Sequence, residues 1–279
     1  MVYFIGTIMP YITVAIFLGG LTWHLWRWTA PRIPHFVALS PFPKSWAGSV
    51  GFIVWQILTF WNILKFDRRL WIGAWPMHVA IGAILGGHVL GIYTLGTQFH
   101  MIFPYAISEA LSESLSDILG KTMGVVFVAA AAYLLYRRFA YDRVAAVSAP
   151  SDYLHMFLLL AIGGVGVYMR FVPAASLHYH EAREFLAGLF LFRPEPLPDN
   201  PFFLTHFLLV QILMIIFPFS KLMHPLGMLW SRWVMNRPYT EPAAGIPGAK
   251  IVPPAGVIYE DSGRTIRVEH WPRFPVKGV

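Results

Sequence analysis

The sequence contains no cysteine among its 279 residues. Disulfides, iron–sulfur clusters, thiolate zinc sites and thioether-linked haem all require cysteine sulfur, so they are excluded from this chain. Charged residues are also scarce, at 13% of the sequence, which excludes a water-soluble domain of ordinary composition. If the chain binds a metal, histidine, methionine, carboxylate or backbone groups must hold it.

Apolar residues, in contrast, are in excess. Hydrophobic residues make up 57% of the chain and the mean hydropathy is +0.57, values typical of a protein with several bilayer spans. Because lipid offers no partner to an open backbone, the predicted fold class is an all-α membrane protein, a bundle of five transmembrane helices. Five segments can cross about 30 Å of hydrocarbon at about 1.5 Å per helical residue: 3–26, 72–96, 119–136, 153–172 and 203–223.

The positions of the basic residues predict the orientation of the chain. Lys and Arg collect in the cytoplasmic loops of membrane proteins. They stand before the second, after the third and after the fifth span: Arg27, Arg32, Lys44, Lys65, Arg68, Arg69, Arg137, Arg138, Arg143, Lys221, Arg232 and Arg237. We therefore expect the N-terminus outside and the C-terminus in the cytoplasm, and the net charge of +7 indicates topology rather than nucleic-acid binding.

Two segments outside the spans complete the domain prediction. In 49–66, polar residues recur at every third position between basic flanks, which favours an amphipathic helix in the cytoplasmic interface over a sixth span. Residues 226–279 are rich in Pro and Gly and contain no further span. The prediction is thus a transmembrane domain over 1–225 and a cytoplasmic, partner-docking tail over 226–279.

Four of the eleven histidines lie in or at the second and fifth predicted spans: His78, His88, His206 and His224. An ionisable side chain within a span is costly and normally has a partner or a ligand. The two spans are antiparallel, so His78 is expected near His224 at the cytoplasmic side and His88 near His206 at the outer side. Neutral imidazole binds iron well, and two such pairs predict two haems.

Small residues surround the first two histidines: Ala80, Gly82, Ala83, Gly86, Gly87 and Gly91. They are expected to clear room for a flat macrocycle. The alternative is that they permit close contact between helices.

These motifs resemble a known family. The run from Trp75 to His78, followed by Gly87 and His88, and the run from His206 to His224 are similar to the haem-binding helices of the respiratory nitrate reductase gamma-subunit family. Within that family the chain is more similar to DsrM, the cytochrome b subunit of the membrane complex linked to dissimilatory sulfite reductase. This closer likeness lies in 151–154, 168–171 and 217–224.

The resemblance implies two b haems that pass electrons between membrane quinone or menaquinone and a cytoplasmic iron–sulfur partner, DsrK-like, within a complex of further membrane subunits. It implies that His78 and His224 hold the cytoplasmic-side haem and that His88 and His206 hold the outer one. The quinol site of the relatives lies beside the outer haem, where this sequence has Gly87 before His88. Lys121 lies in the same third span as the basic residue that helps to bind quinone in the relatives, but more than one helical turn deeper in the membrane.

Two basic residues near the outer ends of spans are secondary candidates. Lys121 is expected either to contact a quinone carbonyl or haem propionate or to extend to the interface. Arg170 is expected either to pair with a propionate or to follow its span outward in the same way.

The leading function is an electron-transfer subunit of a quinol:acceptor oxidoreductase in a prokaryotic cytoplasmic membrane, with the terminal substrate handled by another subunit. A sulfur-metabolism complex is favoured over a respiratory nitrate reductase. Two alternatives of other classes are a haem-free protein that conducts protons or ions and a simple membrane anchor. The sequence identifies no catalytic residue.

Overall fold

The structure is a computed structural model that describes residues 1–30, 45–93 and 108–235, together with two short strands. The helices are α1 (Met9–Thr29), α2 (Trp46–Thr59), α3 (Trp61–Phe66), α4 (Arg68–Tyr93), α5 (Glu109–Ala140), α6 (Asp142–Ala145), α7 (Pro150–Phe171), α8 (Tyr179–Phe190), α9 (Pro201–Ile216) and α10 (His224–Met235). A π-helical turn, Phe4–Ile8, precedes α1. Strands β1 (Val257–Ile258) and β2 (Arg267–Val268) pair antiparallel.

Five helices are long and apolar enough to cross a membrane, which confirms the predicted all-α fold with five spans. They are Phe4–Thr29, Arg68–Val89, Ala110–Ala140, Pro150–Phe171 and Pro201–Phe219. The third helix begins at Glu109, about three turns before the predicted span 119–136, and the Ser108 side chain caps its first turn by accepting a hydrogen bond from the Leu111 N–H. The orientation of the termini stays a prediction.

The chain divides into two compact units. The first comprises Met1–Leu25 and Asn62–Leu222, and the second Trp26–Trp61 and Met223–Val279. In the first unit, α4 packs on α5, α5 on α7, and α7 on α9. The boundary at residue 225, between a transmembrane domain and a partner-docking tail, stays a prediction.

Glycines allow close contact between the central helices of the first unit. A Cβ atom at Gly73 would lie 2.6 Å from the Tyr133 ring, and one at Gly163 would lie 2.7 Å from the Phe127 ring. Next to these contacts, Ala80, Phe127 and Leu159 form a buried cluster that joins α4, α5 and α7. Small residues therefore set the spacing of the bundle, as is common between helices in membranes.

The first helix is fixed to α9 by hydrogen bonds from a buried amide. Gln211 is only 2% exposed. Its Nε2 donates to the Ile5 carbonyl oxygen at 3.0 Å, and its Oε1 accepts from the Thr13 hydroxyl at 3.4 Å. Ile5 lies in the π-helical turn, so a side chain from α9 satisfies a carbonyl of that irregular turn.

The second unit contains α2 and α10, which pack together. The indoles of Trp46 and Trp233 lie 5.3 Å apart between ring centroids. The helix predicted over 49–66 is divided in two, because Phe60 adopts a left-handed conformation with φ of 50°. At fourteen residues α2 is too short to span a bilayer, and its interfacial placement stays a prediction. Residues 226–235 of the predicted tail are helical.

Candidate functional site

Two of the four predicted ligands lie next to each other in the first unit. The imidazole of His88 on α4 and that of His206 on α9 have ring centroids 6.5 Å apart, with their planes 17° from parallel. His88 is exposed, and His206 is half-buried. The structure thus brings together the pair that the antiparallel arrangement of the two spans predicted.

Each of the two histidines of α4 makes a hydrogen bond to a carbonyl oxygen of its own helix. The Nδ1 atom of His78 lies 2.7 Å from the Ala74 carbonyl oxygen, and Nδ1 of His88 lies 2.7 Å from the Ile84 carbonyl oxygen. A carbonyl only accepts, so each Nδ1 must carry the proton and Nε2 is left with its lone pair. Each bond orients its ring from the preceding helical turn, as is usual for histidines that bind a metal.

The ring of His206 is positioned by a glycine on the neighbouring helix. A Cβ atom at Gly166 would lie 3.1 Å from Cε1 of His206, so a larger residue would press on the ring. The Nδ1 atom of His206 is buried and makes no hydrogen bond of ordinary geometry with the described residues, although the Ile162 backbone on α7 is close enough to interact with the ring. Nothing in the sequence singled out Gly166, because the contact joins α7 to α9 across forty residues of chain.

The His88–His206 geometry fits a metal held between two imidazoles. Metal–nitrogen bonds of about 2 Å on either side of one ion place the two ring centroids about 6 Å apart, close to the 6.5 Å found. Among the described residues, no three His, Asp or Glu side chains come together as they do around a fully protein-bound ion. A porphyrin is one group that would supply the remaining ligands of a metal at His88 and His206.

The other predicted pair is divided between the two units. His78 is half-buried on α4 in the first unit, and His224 is exposed as the first residue of α10 in the second. Their pairing stays a prediction.

The two secondary candidates, Lys121 and Arg170, are brought together by one carboxylate. Asp117 on α5 accepts from the Lys121 ammonium at 2.6 Å, and Nη1 of Arg170 on α7 lies 3.9 Å from its other oxygen. All three side chains are between 37% and 46% exposed. Arg170 follows Gly166 by one helical turn on the same face of α7, so this charged group lies one turn from the contact with His206.

Three glycines of α4 have open space beside them. A Cβ atom at Gly82, Gly86 or Gly87 would meet nothing within 4 Å. Contact between helices of the described chain therefore does not account for these three positions. Ala80 differs, because it is completely buried in the core of the first unit.

Comparison with known proteins gives consistent matches. A family model for the nitrate reductase gamma subunit matches residues 62–240, a range that contains all four span histidines. The Hdr-like menaquinol oxidoreductase cytochrome b-like subunit of Archaeoglobus fulgidus is 28% identical over 266 residues, covering 81% of this chain and 77% of that protein. The nitrate reductase gamma chain of Bacillus subtilis is 26% identical over 247 residues, covering 82% and 95%. With its five spans, the chain is a multi-pass protein of the inner membrane, as predicted.

Proposed function

This chain belongs to the nitrate reductase gamma subunit family, and we propose that it passes electrons between menaquinol and an iron–sulfur partner subunit, with its four span histidines holding two b haems for this purpose. The family prediction made from the histidine motifs is confirmed. The chain is a membrane cytochrome b subunit of a quinol oxidoreductase. It works with quinone and with other subunits of a membrane complex.

The observation that carries the proposal is the neighbouring pair His88 and His206. Their ring centroids lie 6.5 Å apart, a separation that would suit two imidazoles holding one haem iron. Haem supplies one-electron redox chemistry when bound. The hydrogen bond from His88 Nδ1 to the Ile84 carbonyl makes Nε2 a better electron donor to a metal.

Residues around this pair have supporting roles in the proposal. Gly166 leaves room for the His206 ring, and the open space beside Gly82, Gly86 and Gly87 leaves room for a macrocycle along α4. Arg170 is one helical turn beyond Gly166 and is only loosely paired with Asp117, so its guanidinium is placed to bind a haem propionate. Lys121, on the same carboxylate, is the candidate contact for a quinone oxygen beside Gly87 and His88.

For the partner we propose a cytoplasmic iron–sulfur subunit of the DsrK type in a sulfur-metabolism complex. The basis is the motif likeness to DsrM, together with the similarity to an Hdr-like menaquinol oxidoreductase subunit. A respiratory nitrate reductase is the second candidate, favoured by the similarity to the Bacillus subtilis gamma chain. Metal analysis of the co-purified complex separates them, because iron with molybdenum indicates nitrate reduction and iron–sulfur clusters without molybdenum indicate the DsrK-type partner.

Ligation is tested by the reduced-minus-oxidised spectrum of the purified complex and of four single His→Ala variants. We expect about two b haems per chain in the wild type. His88→Ala and His206→Ala should each lose the same spectral component, while His78→Ala and His224→Ala should each lose the other. His178→Ala, which changes the residue before α8, is the control and should keep both components.

The proposal fails if the wild-type complex shows no b-type spectrum, in which case a proton or ion pathway becomes the better explanation of these four histidines. If His88→Ala and His206→Ala removed different components, the pairing of the ligands would be wrong while the presence of haem stood. Menaquinol-driven reduction of the partner, followed in the same variants, separates electron transfer from a purely anchoring role.

A further inference from the structure

A cleft of about 420 Å³ opens between the start of α7 and the end of α9, within the first unit. It lies where α4 begins and α5 ends, so it is at the opposite end of the bundle from His88 and His206. Its lining includes Ser151, Leu154, His155, Ile215, Phe219 and Lys221. Its volume is within the range of sites that hold a small organic molecule.

The polar groups that line this cleft include an imidazole. His155 lies one helical turn into α7 and is 8% exposed, yet it lines the cleft. Neither of its ring nitrogens has a hydrogen bond among the described residues. These nitrogens are not among the fully enclosed atoms, so a molecule in the cleft can reach them and form the missing hydrogen bond.

The charges beside the cleft disfavour an anionic ligand. The Lys221 ammonium donates to the buried carboxylate of Asp152 at 2.9 Å, and the Arg138 guanidinium lies 3.6 Å from the same oxygen. The Lys221 charge at the cleft is thus balanced by Asp152. A phosphate group here would compete with Asp152 for Lys221 and would meet its negative charge, whereas a neutral ligand would do neither.

The remaining wall suits a flat apolar molecule with a hydrocarbon tail. Leu154 and Phe219 are 62% and 67% exposed and line the cleft from α7 and from the turn after α9. Both belong to segments long and apolar enough to cross a membrane, so their exposed surfaces are suited to hydrocarbon. A molecule in the cleft therefore meets the His155 imidazole and apolar side chains, together with Ser151, Ser220 and Lys221.

We propose that this cleft binds the head group of a quinone, with His155 donating a hydrogen bond to a carbonyl oxygen and Leu154 and Phe219 holding the start of the isoprenoid tail. The inference rests on the proposed quinol-linked function and adds a second quinone site, separate from the one beside His88. An imidazole both donates and accepts, so it can bind either the carbonyl of a quinone or the hydroxyl of a quinol.

Photolabelling of the purified complex with an azido-naphthoquinone tests this site, followed by mass spectrometry of the labelled peptides. We expect label in 151–155 or 215–221. In His155→Leu the label there should fall about five-fold, as for the loss of one hydrogen bond, whereas His155→Gln keeps a donor and should retain most of it. The matched control is His178→Leu, outside the cleft, which should label like the wild type.

Equal labelling in the wild type and both His155 variants would overturn the proposal, and so would an equal loss in both variants, which would reflect disturbed folding. Labelling that falls when the complex is reconstituted with excess phosphatidylglycerol, at constant naphthoquinone, would assign the cleft to a lipid head group instead. The b-type spectrum is recorded for every variant. Its absence would refute the proposed function, whereas its presence with an unlabelled cleft would refute only the second site.

Discussion

The two ends of the bundle in the first unit differ in how their polar groups are satisfied. At the Asp152 end, where α4 and α7 begin and α5 and α9 end, carboxylates bind cations across helices. The contacts are Arg137 to Asp67 at 3.0 Å and Lys221 to Asp152 at 2.9 Å, and in each pair one side chain is less than a tenth exposed. At the His206 end, where α4 and α7 end and α5 and α9 begin, every member of the Asp117 group is more than a third exposed.

This difference determines how firmly each end is held by its ion pairs. A buried ion pair with good geometry fixes helices against one another, because breaking it leaves an uncompensated charge. The ion pairs of the His206 end are partly exposed, so solvent screening weakens them even where the contact is short. A buried nitrogen without a hydrogen bond of ordinary geometry among the described residues occurs at both ends, at Nδ1 of His206 and at Nε of Arg137, so the two ends differ in the burial of their ion pairs and not in this respect.

The largest effect is expected from filling the space beside His206. Gly166→Leu should displace the imidazole, because even a Cβ atom at this position lies 3.1 Å from it. We predict the loss of one of about two b haems per chain, with the other retained. The measurement is the pyridine haemochrome content per chain. Gly164→Leu is the matched control on the same helix, where a Cβ meets nothing within 4 Å, and a comparable loss there would contradict the explanation.

A smaller effect is expected from removing the carboxylate that joins three segments at the Asp152 end. Asp152→Asn should destabilise the protein by roughly 1–3 kcal/mol, because Asp152 is buried and accepts from Lys221 and from the Ala149 N–H. Asp117→Asn, at the exposed His206 end, should cost less than about 1 kcal/mol. Thermal unfolding in lipid nanodiscs measures both. Equal destabilisation of the two variants would remove the distinction between the ends.

A third effect concerns the potential of the outer haem. Removing the cation in Arg170→Gln should stabilise the oxidised, more positive state and lower one midpoint potential by on the order of tens of millivolts. Redox titration of the b-type spectrum measures this shift. Arg143→Gln changes an exposed arginine beyond the other end of the bundle and should leave that potential unchanged. An unaltered potential in Arg170→Gln would place the propionates elsewhere.

The smallest effect is a pH dependence at Asp67. Burial opposes ionisation of this carboxylate, but hydrogen bonds from the Leu70 N–H and the Arg137 guanidinium outweigh it and hold the pKa of Asp67 below its ordinary value. A lowered pKa adds stability that is complete above the ordinary value of about 3.9 and is lost as the pH falls through the lowered one. Asp67 is 44% exposed, so solvent screening keeps the contribution below about 1 kcal/mol.

Melting curves between neutral and acidic pH test this sign. The wild type should lose more stability than Asp67→Asn as the pH falls below about 4. Identical pH profiles would show that the Asp67–Arg137 contact adds nothing measurable.

The spans could be predicted because hydropathy summed over about twenty residues depends on composition and not on neighbours. The ends of the helices were less predictable. The third helix begins at Glu109 rather than at 119, because about three turns with several polar residues precede the apolar run and Ser108 caps them. The segment 49–66 is interrupted at Phe60, whose positive φ is unusual for an aromatic residue and has no signal in the polar pattern.

The site was partly predictable for a similar reason. Histidines within apolar spans are rare enough to indicate ligands, and antiparallel order suggested that His88 faces His206. Gly166 and Asp117 had no such signal, and although His155 lies within the predicted fourth span, nothing in the sequence showed what it faces. Each owes its importance to a neighbour on another helix, and spacing along one chain does not reveal which helices are adjacent.

The sequence alone determined the membrane class and the number of spans, because these depend on how much apolar surface a segment carries. The tertiary structure decided which imidazoles meet, which carboxylates are buried and where space stays open. Those outcomes arise from helix packing, in which the absence of one Cβ atom at Gly166 or Gly163 determines how closely two helices approach.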